Sequence, residues 1–181
     1  MWRTAELWRR LAAKCVDLAL FLLIFSPAVD AGVRQTFRLK NIGPFAVVTL
    51  LFPLMEIVLV KLFQGTPGKR MFKLRVIRLD ARRPNWTDSI QRQWLLLVLM
   101  ISQSLQVGAV LPGLPAEFDL QALAQAIQDS PGIWTVVSDI ATALLFASSL
   151  LVLFRPDRRS LQDILAGTVV VRPAPAPAPR G

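Results

Sequence analysis

Asp17, Glu56 and Asp139 each interrupt an otherwise apolar run. An acid inside a membrane-spanning helix can hold a proton and a cation in turn, which is the chemistry of an exchanger. A charge at the centre of such a helix costs about 2.5–3.5 kcal/mol on insertion scales, so it faces a protein interior and takes partners. Glu56 fits an exchanging carboxylate better than Asp17 does. Its nearest basic neighbour in sequence, Lys61, is more than a turn away, whereas Arg10, Lys14 and Asp17 fall at i, i+4 and i+7 on one helix face. That spacing makes Lys14 the local partner of Asp17. It also gives the bland reading: a cationic cluster at the interface neutralises one acid and fixes the depth of the helix.

The run Gly65-Thr66-Pro67-Gly68-Lys69 has the residue types of a phosphate-binding loop but the wrong spacing. Such a loop needs four residues between its glycines, then Lys and a hydroxyl that holds magnesium. Here two residues separate the glycines, and Arg70 stands at the hydroxyl position. A nucleotide site is excluded, and the glycines with Pro67 read as a chain break after an apolar span.

Residues 61 to 92 carry nine Lys or Arg against Asp80 and Asp88. Placed beside a bilayer, Lys69, Arg70, Lys73, Arg75, Arg78, Arg82 and Arg83 meet anionic headgroups first, at about 1 kcal/mol per basic residue near the surface. Topology and lipid contact are therefore expected of this loop, a protein partner less so, and nucleic acid not at all. Near the C-terminus Asp163 follows Ser160 at capping-box spacing, with Gly167 marking the end of a short helix. Arg155, Arg158 and Arg159 are its nearby cations. The chain has no His and one Cys, Cys15. No disulfide framework, metal cluster, cofactor site or catalytic site can be assembled from what remains, so a non-enzyme is expected.

More than half of the 181 residues are apolar, yet the net charge is +9 and the mean hydropathy +0.48. Membrane proteins with basic cytoplasmic loops combine the two. Four stretches approach the roughly 20 residues needed to cross hydrocarbon: 11–29, 45–63, 95–111 and 133–154. In the first, Lys14 and Asp17 leave a short apolar core, and a rival reading is a cleaved signal peptide ending at Ala-Val-Asp-Ala. Lys and Arg concentrate at both ends and between the second and third spans, which places both termini in the cytoplasm. Arg34, Arg38 and Lys40 are the outward-facing exceptions. In the outer segment, Leu120, Leu123 and Ile127 share one side of a short helix, beside Phe118. Strands are predicted near 74–79 and 167–172, pairing as a small cytoplasmic sheet, with Thr87 capping the third span. Thr49, Ser102, Gln103, Ser104, Gln106, Ser138, Thr142, Ser148 and Ser149 could line a path or let helices approach closely.

Three separated phrases resemble one family. "RLAAKCVD", "GTPGKRMFKLRVIRLD" and "DRRSLQDILAGTVVV" are similar in order and spacing to the RDD family of bacterial integral membrane proteins, over about residues 8–172. Carried onto this chain, the named Arg and first Asp match Arg10 and Asp17, and Asp163 matches the second Asp. Gly65, Thr66, Pro67, Gly68, Lys69, Arg75 and Gly167 match the remaining motif positions. The Gly usual after the Gly-Lys phrase is Lys73 here. The resemblance implies a multi-pass protein of the bacterial cytoplasmic membrane with transport suggested as its role, and sodium/proton exchange for some members.

The expected architecture is an all-α membrane protein of four transmembrane helices with a short cytoplasmic strand pair, an 8–172 membrane domain and a Pro/Ala-rich tail at 173–181. Two roles follow. One is small-solute or cation/proton transport, with Glu56, Asp17 and Asp139 as carriers, for which four helices would call for a homo-oligomer. The other is a non-catalytic scaffold or accessory subunit docking anionic lipid, or a partner protein, through the basic loop.

Overall fold

The computed structural model describes residues 2–173, so the predicted tail lies, Pro173 apart, outside the described residues. In chain order the elements are β1 (Trp2–Thr4), α1 (Leu7–Leu39), α2 (Gly43–Phe63), α3 (Pro67–Met71), β2 (Arg75–Arg78), α4 (Trp86–Val110), α5 (Leu120–Asp129), α6 (Ile133–Phe154), α7 (Leu161–Leu165) and β3 (Thr168–Pro173). α1, α2, α4 and α6 are long and apolar enough to cross a membrane, as the four predicted spans require.

The described residues form two compact units. The first contains the residues up to Ala19, Glu56–Arg92 and those from Ser148 onward. Its sheet has the order β1-β3-β2, antiparallel throughout. The predicted pair is β2 with β3, in a register that sets Val76 opposite Val170. β1 adds a third strand on the other edge of β3, a run too short to show alternation in the sequence. In β2 Arg75 is exposed and Val76 buried, while Ile77 and Arg78 are both half-buried. Val76 and Val170 join Ala5, Ala13, Val60 and Leu74 in one apolar core, with Phe72 against it.

The second unit comprises Leu20–Met55 and Gln93–Ala147. α1 continues through most of the segment expected as an outer loop, because Asp30 and Arg34 pair at i, i+4 (2.9 Å) and Val33 and Phe37 have an apolar surface to meet. Phe37 packs with Val107, Leu111, Leu114 and Leu123. Past the end of α1, the Lys40 ammonium donates to the carbonyls of Leu111, Leu114 and Pro115. In α5, capped by Asp119, Leu123 is buried and Ile127 packed as predicted. Leu120 is exposed instead, since Phe118 ahead of the cap takes the contact with Phe37, edge to face at 5.1 Å.

The start of α4 differs from the predicted one. Asn85 is the cap: its Oδ1 accepts the Asp88 N–H at 2.7 Å, and the Asp88 carboxylate accepts the Asn85 N–H at 2.8 Å. Thr87 falls one residue inside the helix, because this reciprocal pair already satisfies the first turn.

Candidate functional site

Asp163 is fully buried at the third position of α7. The predicted capping box is present: Ser160 Oγ accepts the Asp163 N–H at 3.2 Å, and Asp163 Oδ2 accepts the Ser160 N–H at 3.3 Å. The same carboxylate takes an ion pair from each side. Arg10, on α1, donates Nη1 to Oδ2 at 2.7 Å, and Arg92, on α4, donates to Oδ1. Arg92 also reaches Thr168 Oγ1 at 2.6 Å, and Arg10 reaches the Val170 carbonyl at 3.4 Å. Burial pushes the Asp163 carboxyl up, but Arg92 and Arg10 outweigh it and hold it below the usual aspartate range.

The cations expected for Asp163 are its sequence neighbours. Only Arg159 of these touches it, through the Asp163 backbone carbonyl at 3.1 Å, while Arg155 pairs with Asp157 at 2.9 Å. In the sequence Arg92 is one more charge of the basic loop. Its signal is the company it keeps: buried Ser89 and Gln93 bracket it on a helix that turns apolar directly afterwards.

Asp17, likewise buried, sits under the Gly-Thr-Pro-Gly turn. Its carboxylate accepts the Thr66 hydroxyl and, at 2.7 Å, the Gly68 N–H. Thr66 is the cap of α3 and Pro67 its first residue, where a missing N–H costs nothing. The run therefore starts a short helix. A β-carbon on Gly68 would overlap the Ala13 carbonyl oxygen and lie 3.0 Å from Asp17 Cγ. Glycine is required there so that the turn can lie against α1. One hydroxyl and one backbone amide from the turn thus serve the Asp17 carboxylate, where helix spacing alone suggested Lys14.

Lys14 instead pairs with Glu56, which is fully buried on α2. Lys69, from α3, approaches Glu56 Oε1 at 3.5 Å. The expectation that Glu56 lacks a fixed positive partner is thereby corrected, because two cations distant in sequence converge on it. Lys69 is also withdrawn from the predicted lipid-facing set. Its burial pulls the ammonium below the ordinary lysine range, and Glu56 only partly offsets this.

Of the other predicted lipid contacts, Arg70, Lys73, Arg75, Arg82 and Arg83 are exposed. Arg70 lies over the Phe63 ring at 5.1 Å. Arg78 is partly withdrawn, 3.8 Å from Asp80 and 3.7 Å from Asp88. Gly65, the first residue of the turn, is buried. Asp139 is exposed on α6 and belongs to the second unit. Thr49, Ser102, Ser104 and Thr142 bond carbonyls of their own helices, and Thr49 meets Ser104 at 3.1 Å. Gln106 donates to Thr135 at 2.8 Å. Among the described residues no group of three His, Cys, Asp or Glu could hold a metal.

The cluster thus brings Arg10, Asp17 and Asp163 into one unit together with the Gly-Thr-Pro-Gly-Lys turn, the residues that carry the family resemblance. A family model, that of the RDD family, matches residues 4–167. The chain belongs to the RDD family. No curated protein and no solved structure matches it. With four apolar helices, this RDD protein is a multi-pass membrane protein.

Within the RDD motif the partners are unlike those suggested by sequence order. Arg10 serves Asp163 and not Asp17, while Asp17 serves the turn. The departure at Lys73 also has a geometric meaning: its backbone is left-handed, with φ 56°, and the side chain is exposed. A glycine at that position would answer a backbone conformation and not a close approach.

Proposed function

We propose that this RDD protein is a non-catalytic scaffold of the bacterial cytoplasmic membrane, with both termini in the cytoplasm, which holds a basic surface against anionic lipid. The observation that carries this reading is the engagement of Asp17 and Glu56. Each is buried and tied to donors from α3 or its cap, so neither is poised to trade a proton for a cation. What the acids do is anchor the segment that bears Arg70, Lys73, Arg75, Arg82 and Arg83. A rigid cationic surface gathers anionic headgroups through many weak contacts.

The test uses the full chain in lipid nanodiscs. Hydrogen exchange of residues 64–83 should slow when phosphatidylglycerol replaces phosphatidylcholine, and should not after joint Arg82→Gln and Arg83→Gln substitution. Unchanged exchange in the two lipids would sink the lipid-docking role.

Cation/proton exchange is the second reading, favoured by one feature. Glu56 is shared between Lys69, whose side chain is 13% exposed, and Lys14, whose side chain is 44% exposed, which gives a buried carboxylate a cationic neighbour in contact with the surroundings. Vesicles containing the protein and a pH dye, given sodium, lithium or potassium gradients, separate the two. The scaffold reading expects no cation-dependent proton flux. Flux abolished by Glu56→Gln or Asp17→Asn would replace it with exchange, carried out by an oligomer.

A further inference from the structure

One groove in the first unit has a composition unlike its surroundings. Leu7, Trp8 and Leu11 at the start of α1 face Val152 and Leu153 at the end of α6, and Arg158 closes the rim, enclosing an open volume of about 350 Å3. Its walls belong to two candidate spans, so they lie where hydrocarbon begins. Its rim carries a tryptophan and an arginine, the pair of residue types that suit the boundary between headgroups and acyl chains.

Charge at the rim is one-sided. Glu6, which also feels the charge of Arg158, and Asp157 are the nearby acids, and each is shared with other cations. Glu6 accepts the Trp8 indole N–H at 2.8 Å and the Arg172 guanidinium at 3.0 Å, and lies 3.6 Å from Arg9. Asp157 takes Arg155 at 2.9 Å, with Arg159 at 3.9 Å. Arg158 is exposed, and Arg9 stands over the Trp8 ring at 4.7 Å. The Trp8 indole is thus held in place from its edge and its face.

The backbone supports the same reading. Arg158 is left-handed, with φ 51°, and its N–H is tied to the Arg155 carbonyl at 3.0 Å. A β-carbon disfavours that conformation, and side chains so held gather where their direction matters.

We infer that this groove seats one anionic phospholipid, with an acyl chain along Leu7, Leu11, Val152 and Leu153 and the phosphate on Arg158. The site shares no residue with the 70–83 surface and adds to the proposed lipid contacts a position that recognises a single molecule. An acyl chain fills the apolar walls, which free phosphate cannot do. A zwitterionic lipid of the same chain length would fill the walls but bring its own cation to Arg158.

The experiment is native mass spectrometry of the full chain released from detergent, titrated with phosphatidylglycerol or with phosphatidylcholine of identical chains. The wild type should retain phosphatidylglycerol preferentially. Arg158→Gln should lower that preference about fivefold, the effect of one basic residue at an anionic surface, and leave phosphatidylcholine unchanged. Arg82→Gln with Arg83→Gln should leave this tightest adduct in place, even if the looser binding expected of the 70–83 surface falls. Equal retention of the two lipids, an unaffected Arg158→Gln, or displacement by inorganic phosphate would overturn the assignment. A readout that needs no folded Arg158 variant is quenching by brominated phosphatidylglycerol. The part of the quenching lost in Trp8→Phe should exceed that with brominated phosphatidylcholine, and equal losses would likewise overturn it.

Discussion

Arg10 and Asp163 meet at 2.7 Å although 153 residues separate them in sequence. The contact joins the first turns of α1 to α7, and Arg92 closes the other side of the same carboxylate. A buried acid between two arginines is a lock whose parts are costly to leave alone. Asp163→Asn keeps the shape but leaves two guanidinium groups without their counter-charge, which should cost about 3–5 kcal/mol. Thermal unfolding in detergent measures it. Combining Asp163→Asn with Arg92→Gln should cost less than the sum of the two changes, by about 1 kcal/mol or more.

The same carboxyl fixes the sign of an acid response. Its folded pKa lies below the unfolded value, so the unfolded chain takes up the proton first as pH falls. The stabilisation is therefore complete above the unfolded pKa of about 4 and is lost as pH drops through the folded value. Unfolding curves at stepwise lower pH should show a loss beginning near that point. Asp163→Asn should flatten this part of the profile.

Gly68 is held by space alone. A methyl group there meets the Ala13 carbonyl, so Gly68→Ala should destabilise by about 1–3 kcal/mol, the usual cost of overpacking. At Gly132 a β-carbon would have nothing within 4 Å, and Gly132→Ala should be near neutral. Comparing the two variants by unfolding midpoint separates a steric requirement from a general preference for glycine.

Lys73 and Gly167 share a left-handed backbone, with φ 56° and 60°. Glycine relieves that strain, so Lys73→Gly should gain about 0.5–1 kcal/mol and Gly167→Ala should lose about 1 kcal/mol. A fall in midpoint for Lys73→Gly would mean that its side chain contributes more than its backbone loses.

Lys69 and Lys14 share Glu56 unequally. The Lys69 side chain is 13% exposed and that of Lys14 44%, so Lys69 is the more deeply placed of the two cations. Both variants leave the buried Glu56 carboxylate short of a partner; Lys14→Met should cost about 1 kcal/mol, and Lys69→Met, which removes the more deeply placed cation, about 1–3 kcal/mol. Denaturant unfolding of the two variants gives the order, and a reversed order would make Lys14 the main counter-charge.

Much of the local structure is legible in the sequence. The four apolar runs are the four long helices, Ser160 and Asp163 form their capping box, and the strand alternation at Val76 points into the core. Local reading fails where a residue has a competing partner. Asn85 takes the cap from Thr87 because an acid three residues later answers it. α1 runs on through 30–39 because Phe37 and Val33 find apolar surface that no sequence window displays.

Side-chain transfer energies and neighbours within a turn are properties of the sequence alone, and they settle which segments prefer hydrocarbon, where most caps and turns fall and which acids need partners. Which cation each buried acid receives is settled by the packed chain. Lys14 is a helix neighbour of Asp17, yet it serves Glu56; Asp17 takes Thr66 and Gly68, and Asp163 takes Arg10 and Arg92. A buried charge is stabilised by whichever donors the packed backbone brings within hydrogen-bond reach, and that reach is set by contacts between segments scores of residues apart.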